Sequence, residues 1–417
     1  MRSLAPLRHG PARSVGSARS AERTAPWRRR RSVLAAVAGI VATAPVVLAA
    51  GAASAADGSA AGSGGEGAHR SGAVFVQLNA ASGNEIASYS RALDGRLVAA
   101  GRFSTGGLGG TAVGAPLDAL ASQGSLVLNG PREVLLAVNA GSDTVTSFGV
   151  AGARLHRRSV VPSSGQFPVS VAVHDDVAFV LNAGGHGSVS GFWIRGGALV
   201  PIPGSTRELG LDNTAVPTFI TAPSQVGFTP DGHALVVATK SNNTLLTFRV
   251  SDSGRISGSP TTTASSQPVP FSFVTDPAGR IHVTNAGTGT QTSYRLGHDA
   301  TLTALGTSAP TGGAALCWNV RVGRTVFGAN AGSSTISAWR IEADGTTTLT
   351  APVAASTPAG PIDMAASPDG QFLYGQNAVA GSVSVYSVAA GGALTPVQTV
   401  TGLPVFANGG MEGIAAS

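Results

Sequence analysis

Lys240 is the only lysine among 417 residues. It stands in a turn whose sister turns elsewhere in the chain carry a small residue at the same place. Four more polar side chains, Gln166, Gln225, Asp363 and Glu412, enter short apolar runs. With Lys240 they are the candidate ligand-binding residues. An ammonium near two carboxylates can bind an anionic or polyhydroxylated ligand, and it can do acid–base work if its surroundings shift its pKa. The same groups can equally form a satisfied ion pair or a hydrogen-bonded cap. Familiar catalytic signatures are missing: there is no Gly-x-Ser-x-Gly elbow, His-Glu-x-x-His helix, Cys-x-x-Cys pair or Gly-rich phosphate loop ending in Lys. No catalytic residue is therefore assigned. The eight histidines show no metal-ligand spacing, so neither a metal site nor a cofactor is expected.

These residues sit within a repeated phrase. A short apolar strand runs into a turn opened by Asn79, Asn139, Asn182, Thr239, Asn285, Asn330 or Asn377. A Ser/Thr-rich strand follows and ends on Tyr89, Phe148, Phe192, Phe248, Tyr294, Trp339 or Tyr386. The copies recur 43 to 60 residues apart. A period of ~40–50 residues with several short strands per unit is the mark of a β-propeller blade. The expected architecture is all-β, a seven-bladed β-propeller of four-stranded blades.

Blade 7 reads most plainly, with strands at 362–366, 372–376, 382–388 and 394–400 and a Ser367-Pro368-Asp369-Gly370 hairpin. Blade 4 follows with strands at 225–228, 234–238, 244–250 and 255–260. First strands are expected at 169–173, 271–275 and 314–319 for blades 3, 5 and 6. That of blade 2, at 124–128, is reached through the glycine-rich loop 106–114. The innermost strand of each blade lines the channel, so the loop entering it and the turn after the second strand share one face, the top. Asn and Gly in those turns suit left-handed backbone and local amide bonding, which makes the repeated turn a folding device. Blade 1 begins with a second strand at 74–78 and has no first strand before it. The segment 411–417 resembles 362–367 and is expected to supply it, closing the ring.

The net charge of +6 is misleading as a guide to partners. Residues 1–55 hold nine arginines and one acid, and the rest of the chain is left with a net of −2. Without a basic stripe, nucleic acid is not an expected partner. The basic segment ends at Arg28–Arg31, an apolar run spans 33–50 and Ala53-Ser54-Ala55 offers a cleavage site. Residues 1–55 therefore read as an export signal, similar to a twin-arginine signal at Arg30-Arg31-Ser32-Val33-Leu34 or to an ordinary secretory leader. No stable membrane span is expected after cleavage, and the location is secreted or extracytoplasmic. Residues 56–72 read as a flexible linker and 73–417 as the propeller. Cys317, the single cysteine, rules out an internal disulfide, and a monomer is expected.

Phe-Thr-Pro-Asp-Gly at 228–232, Ala-Ser-Pro-Asp-Gly at 366–370 and turns such as Asn139-Ala140-Gly141-Ser142-Asp143-Thr144 resemble the seven-bladed lactonase family, whose members include 6-phosphogluconolactonase-like and carboxymuconate-cyclase-like proteins. The resemblance covers roughly residues 73–417. It implies a lactone hydrolase or cyclase acting at the top of the channel on a small lactone or sugar-acid ligand, without a required metal. Where members often carry His-Pro-His this chain has Ala222-Pro223-Ser224, and where a Pro-Arg pair is common it has Pro361-Ile362. The alternative is a non-catalytic secreted propeller that serves as a ligand- or protein-binding scaffold.

Overall fold

The computed structural model describes residues 72–417. The expected export signal, 1–55, and nearly all of the expected linker, 56–72, lie outside the described residues, and Gly72 already opens a strand. Seven antiparallel sheets follow one another around a ring, each with its strands in order from the channel outward. Blade 7, for example, runs Pro361–Ala366, Phe372–Asn377, Ser382–Val388 and Leu394–Val400. Second strands such as Val134–Asn139 and Ala234–Thr239 are buried along their whole length, because neighbouring blades cover both faces. That is why they read as continuous apolar runs rather than alternating ones. Outer strands such as Leu97–Ser104 face solvent and can be polar or small.

The ring closes as expected. Ile414–Ala416 pairs with Gly72–Gln77, in register Val74↔Ala416 and Val76↔Ile414. The ladder continues through Glu412 N–H to the Gln77 carbonyl at 3.0 Å and Ser417 N–H to the Ala73 carbonyl at 2.9 Å. Two outer strands differ from expectation. In blade 4 the fourth strand is Thr261–Ala264, not 255–260. Gly254 at φ +78° and the isolated Val250↔Ile256 bridge turn the chain back early, and Pro260 has no N–H to donate. In blade 3 the outer edge is split into Ala198–Pro201 and Arg207–Glu208.

The repeated turn also has a different basis from local backbone bonding. The Asn ends the second strand and sends its amide across to hydroxyls five and seven residues on. Asn285 donates to Thr290 Oγ1 at 3.1 Å and Thr292 Oγ1 at 2.9 Å, and Asn377 to Ser382 Oγ at 3.1 Å and Ser384 Oγ at 3.0 Å. Asn139 and Asn330 do the same, and Asn182, whose turn is one residue longer, reaches Ser188 and Ser190, six and eight residues on. The left-handed residue lies four positions later, at Asp143, Asn243 and Ser334. The Ser/Thr richness of the third strand is thus explained by its amide partner.

Two connections are longer than the rest, and both rise over the top face. One links blade 1 to blade 2 and the other leads from blade 3 to blade 4. They meet where Val113 N–H donates to the Pro217 carbonyl and Phe219 N–H to the Val113 carbonyl, each at 2.9 Å.

Candidate functional site

The first long connection enters the channel and fills it. Asp118 accepts N–H bonds from Leu120, Ala121 and Ser122 at 3.0–3.1 Å, folding residues 118–122 into a tight turn with Ala121 at φ +58°. That turn is laced to the surrounding blades. Ser122 Oγ donates to the Val169 carbonyl in blade 3 at 2.8 Å, and Trp318 Nε1 of blade 6 donates to the Ser122 carbonyl at 2.9 Å. Gln123 N–H reaches the Ser224 carbonyl in blade 4, while its side chain accepts from Asn319 N–H, both at 2.9 Å.

Lys240, Asp363 and Glu412 gather around this turn, joined by Asp118. All four are buried, at 0–4% exposure. Lys240 occupies the position that six sister turns give to alanine, such as Ala140, Ala183 and Ala331. There it points inward, and its Nζ donates to the Ala121 carbonyl at 2.5 Å with the rings of Phe219 and Phe271 each 5.1 Å away. Burial lowers its pKa from 10.5 to about 7, against the opposing pull of Asp118, Cys317 and Glu412. Glu412 Oε1 accepts the Leu120 N–H at 3.0 Å, and its carboxyl is hydrogen-bonded to Asp118. Burial raises both carboxyls, and Asp118, with three backbone donors, is the one that keeps its charge while Glu412 holds the proton. Burial and the Asp118 charge also push Asp363 well up, although the N–H groups of Gly124 and Gly413 bond to it. Burial keeps the Cys317 thiol protonated and unreactive.

Above Lys240 lies a cavity of about 850 Å³, open to the top face. The two long connections supply one wall, with Val113, Pro116, Phe219 and Ile220, and blades 4 to 6 supply the other, with Val269, Ala286 and Ala314. Among the described residues, Lys240 is the only ionisable one lining it.

The remaining candidates lie elsewhere. Gln225 is half-buried, with both ends of its amide bonded to the Phe273 backbone at 2.7 and 3.0 Å, so it rivets blade 4 to blade 5. Gln166 is exposed beside the blade 3 turn, where its carbonyl accepts from Gly184 N–H. Asp363 and Glu412 do reach the channel but are sealed beneath the 118–124 turn instead of standing at an open mouth. Asp118 went unnoticed in the sequence; its signal was the 60-residue gap between the first two repeats, which had to be filled by something.

One arrangement imitates a hydrolytic triad. His282 Nδ1 lies 2.9 Å from Ser293 Oγ and Nε2 lies 3.4 Å from Asp276 Oδ2. All three residues are buried at 0–2% exposure inside blade 5, and Asp276 is also held by Arg280 at 2.6 Å. Burial holds His282 below its ordinary pKa despite Asp276. Unlike Lys240, none of the three lines the top-face cavity, and a serine that no substrate can reach makes a structural bond.

No protein-family model matches the sequence, and no curated protein matches it. Solved structures do. A Bacteroides uniformis protein proposed to be a 6-phosphogluconolactonase superposes with TM-score 0.64 at 16% identity, covering 83% of this chain and 99% of that one. A Lactobacillus plantarum protein gives 0.63 at 19% identity, covering 83% and 98%. The periplasmic gluconolactonase of Pseudomonas aeruginosa gives 0.62 at 19% identity, covering 80% and 97%. The chain shares its seven-bladed β-propeller fold with these proteins. At these identities the likeness speaks for the fold.

Proposed function

We propose that the protein is a lactonase-like propeller that admits a small lactone to the top-face cavity, with Lys240 as its working polar group. One observation carries this reading: among the described residues, the sole ionisable one lining the cavity is an amine brought to about 7 by burial, so it can exchange a proton near neutrality. In the neutral form Nζ takes a proton from water as the water oxygen attacks the lactone carbonyl. When the ring C–O bond breaks, the ammonium returns that proton to the departing alkoxide, and the product is a hydroxy acid. The names of the structural neighbours support lactones as the substrate class.

The test is a panel of lactones assayed with wild-type protein, Lys240→Met and Glu412→Ala. Loss of base catalysis lowers kcat by ~10²–10⁴-fold in Lys240→Met. Wild-type protein that opens no lactone, or a Lys240→Met variant that opens one at the wild-type rate, overturns the proposal. A second reading, non-catalytic ligand binding, is favoured by the Nζ bond to the Ala121 carbonyl and the two flanking rings, which already satisfy the ammonium. Saturable binding without turnover would select it.

We also propose export, on the strength of the arginine-rich segment and the apolar run after it. The mature protein then starts near residue 56 and acts as a monomer. Intact mass of the secreted species and its sedimentation coefficient check both; a species retaining Met1 contradicts the first.

A further inference from the structure

We infer that the cavity over Lys240 accepts a ligand with an apolar body and one carbonyl or carboxylate end, an aryl or medium-chain lactone and its hydroxy acid, and that it excludes phosphorylated or polyhydroxylated sugar lactones. The inference rests on the lactone reading for the polar end of the ligand alone.

Three features of the cavity carry it. Its walls are apolar, with Pro116, Phe219, Ile220, Val269, Pro310 and Ala314 among them. At about 850 Å³ it has room for a bicyclic or ten-carbon molecule, within the ~300–1,000 Å³ of small-molecule pockets.

Three of the polar side chains on its walls already have partners of their own. Asn243 Oδ1 accepts Val269 N–H at 2.7 Å. Thr288 Oγ1 is paired with Thr290 Oγ1, and Thr218 Oγ1 with Thr221 Oγ1, both at 2.8 Å. A sugar lactone would have to strip water from several hydroxyls and find few free partners here.

The third feature is charge. A phosphate dianion is held by several charge-assisted donors, commonly a forked guanidinium. Among the described residues the lining contains no arginine or histidine, and its one amine is half neutral near pH 7. A single carbonyl or carboxylate is what one amine at the floor of an apolar cavity can match. Half-buried Phe219 on the cavity wall beside it offers an aromatic ring for the body of the ligand to pack against.

Calorimetric titration decides between these classes with stable hydroxy acids as probes: 3-(2-hydroxyphenyl)propanoate against gluconate and 6-phosphogluconate. The aryl acid is expected to bind at least about tenfold more tightly than either sugar acid. Ile220→Glu puts a like charge in a half-buried wall and should weaken the aryl acid about tenfold or more, with the melting temperature unchanged. Ala314→Trp, which fills the cavity from the opposite wall, should do the same. Equal or tighter binding of gluconate or 6-phosphogluconate overturns the inference. So does aryl-acid binding that neither substitution alters, or no aryl-acid binding at all. Dihydrocoumarin that competes for the site without being opened removes the hydrolase reading and supports this inference. Gluconolactone opened efficiently keeps the hydrolase reading and removes the inference.

Discussion

A lysine where six sister turns have alanine changes what the channel must contain. Its charge in a buried site calls for a counter-charge, and Asp118 supplies one while Glu412 carries the proton that prevents a second. Glu412 and Asp363 are raised above their unfolded values of 4.5 and 3.8. A carboxyl so raised contributes stability that is complete below the unfolded value and is lost as the pH climbs. Lys240, lowered from 10.5 to about 7, acts in the opposite sense: the penalty for its buried charge is full below 7 and fades between there and 10.5. The melting temperature should therefore fall as pH rises from about 4 toward neutrality, with Lys240 opposing the fall above 7. Glu412→Gln can keep both hydrogen bonds while removing one titration, so the fall between pH 4 and 7 should become shallower. An unchanged slope would mean that Glu412 is ionised in the folded protein. Asp118→Ala strips three N–H groups of their acceptor and leaves Lys240 without its main counter-charge; its cost is expected at about 3–5 kcal/mol by denaturant titration.

At the scale of elements, the Asn that ends each second strand is the joint of the blade. Asn330→Ala removes donors to Thr335 and Ser337 and should cost about 1–3 kcal/mol in denaturant titration. Gly165→Ala is expected to cost a similar amount, about 1–3 kcal/mol, because a Cβ there would sit 2.5 Å from the Asn182 amide nitrogen. Either substitution passing without loss would show the joint to be dispensable. The strands themselves were legible in the sequence because each second strand is an apolar run bounded by a turn signal. The fourth strand of blade 4 was not, since Thr261–Ala264 is short, polar and half exposed, and nothing buried imposes a pattern on it. The two long connections carried no periodicity at all, so their role as plug and cavity wall was hidden. Glu412, Asp363 and Lys240 could be named from the strands that deliver them, whereas Asp118, on the plug, could not.

For the whole molecule, the ring and the site depend on the same closing segment. Residues 411–417 complete blade 1 and also bring Glu412 and the Gly413 N–H to the channel. Deleting them should abolish cooperative unfolding; a truncated protein that melts as the intact one does would contradict ring closure. The buried carboxylates, the plug and the top-face cavity meet at one amine, whose proton is the centre of the functional account. Because Lys240 is the only lysine, protein grown with lysine labelled at the ε-carbon gives one side-chain resonance, and its pH titration can be followed without assignment. The account predicts a midpoint near 7 that moves when 3-(2-hydroxyphenyl)propanoate is added. A resonance that stays at the charged-amine position until the midpoint near 10.5 of an ordinary lysine, unmoved by the ligand, would contradict it.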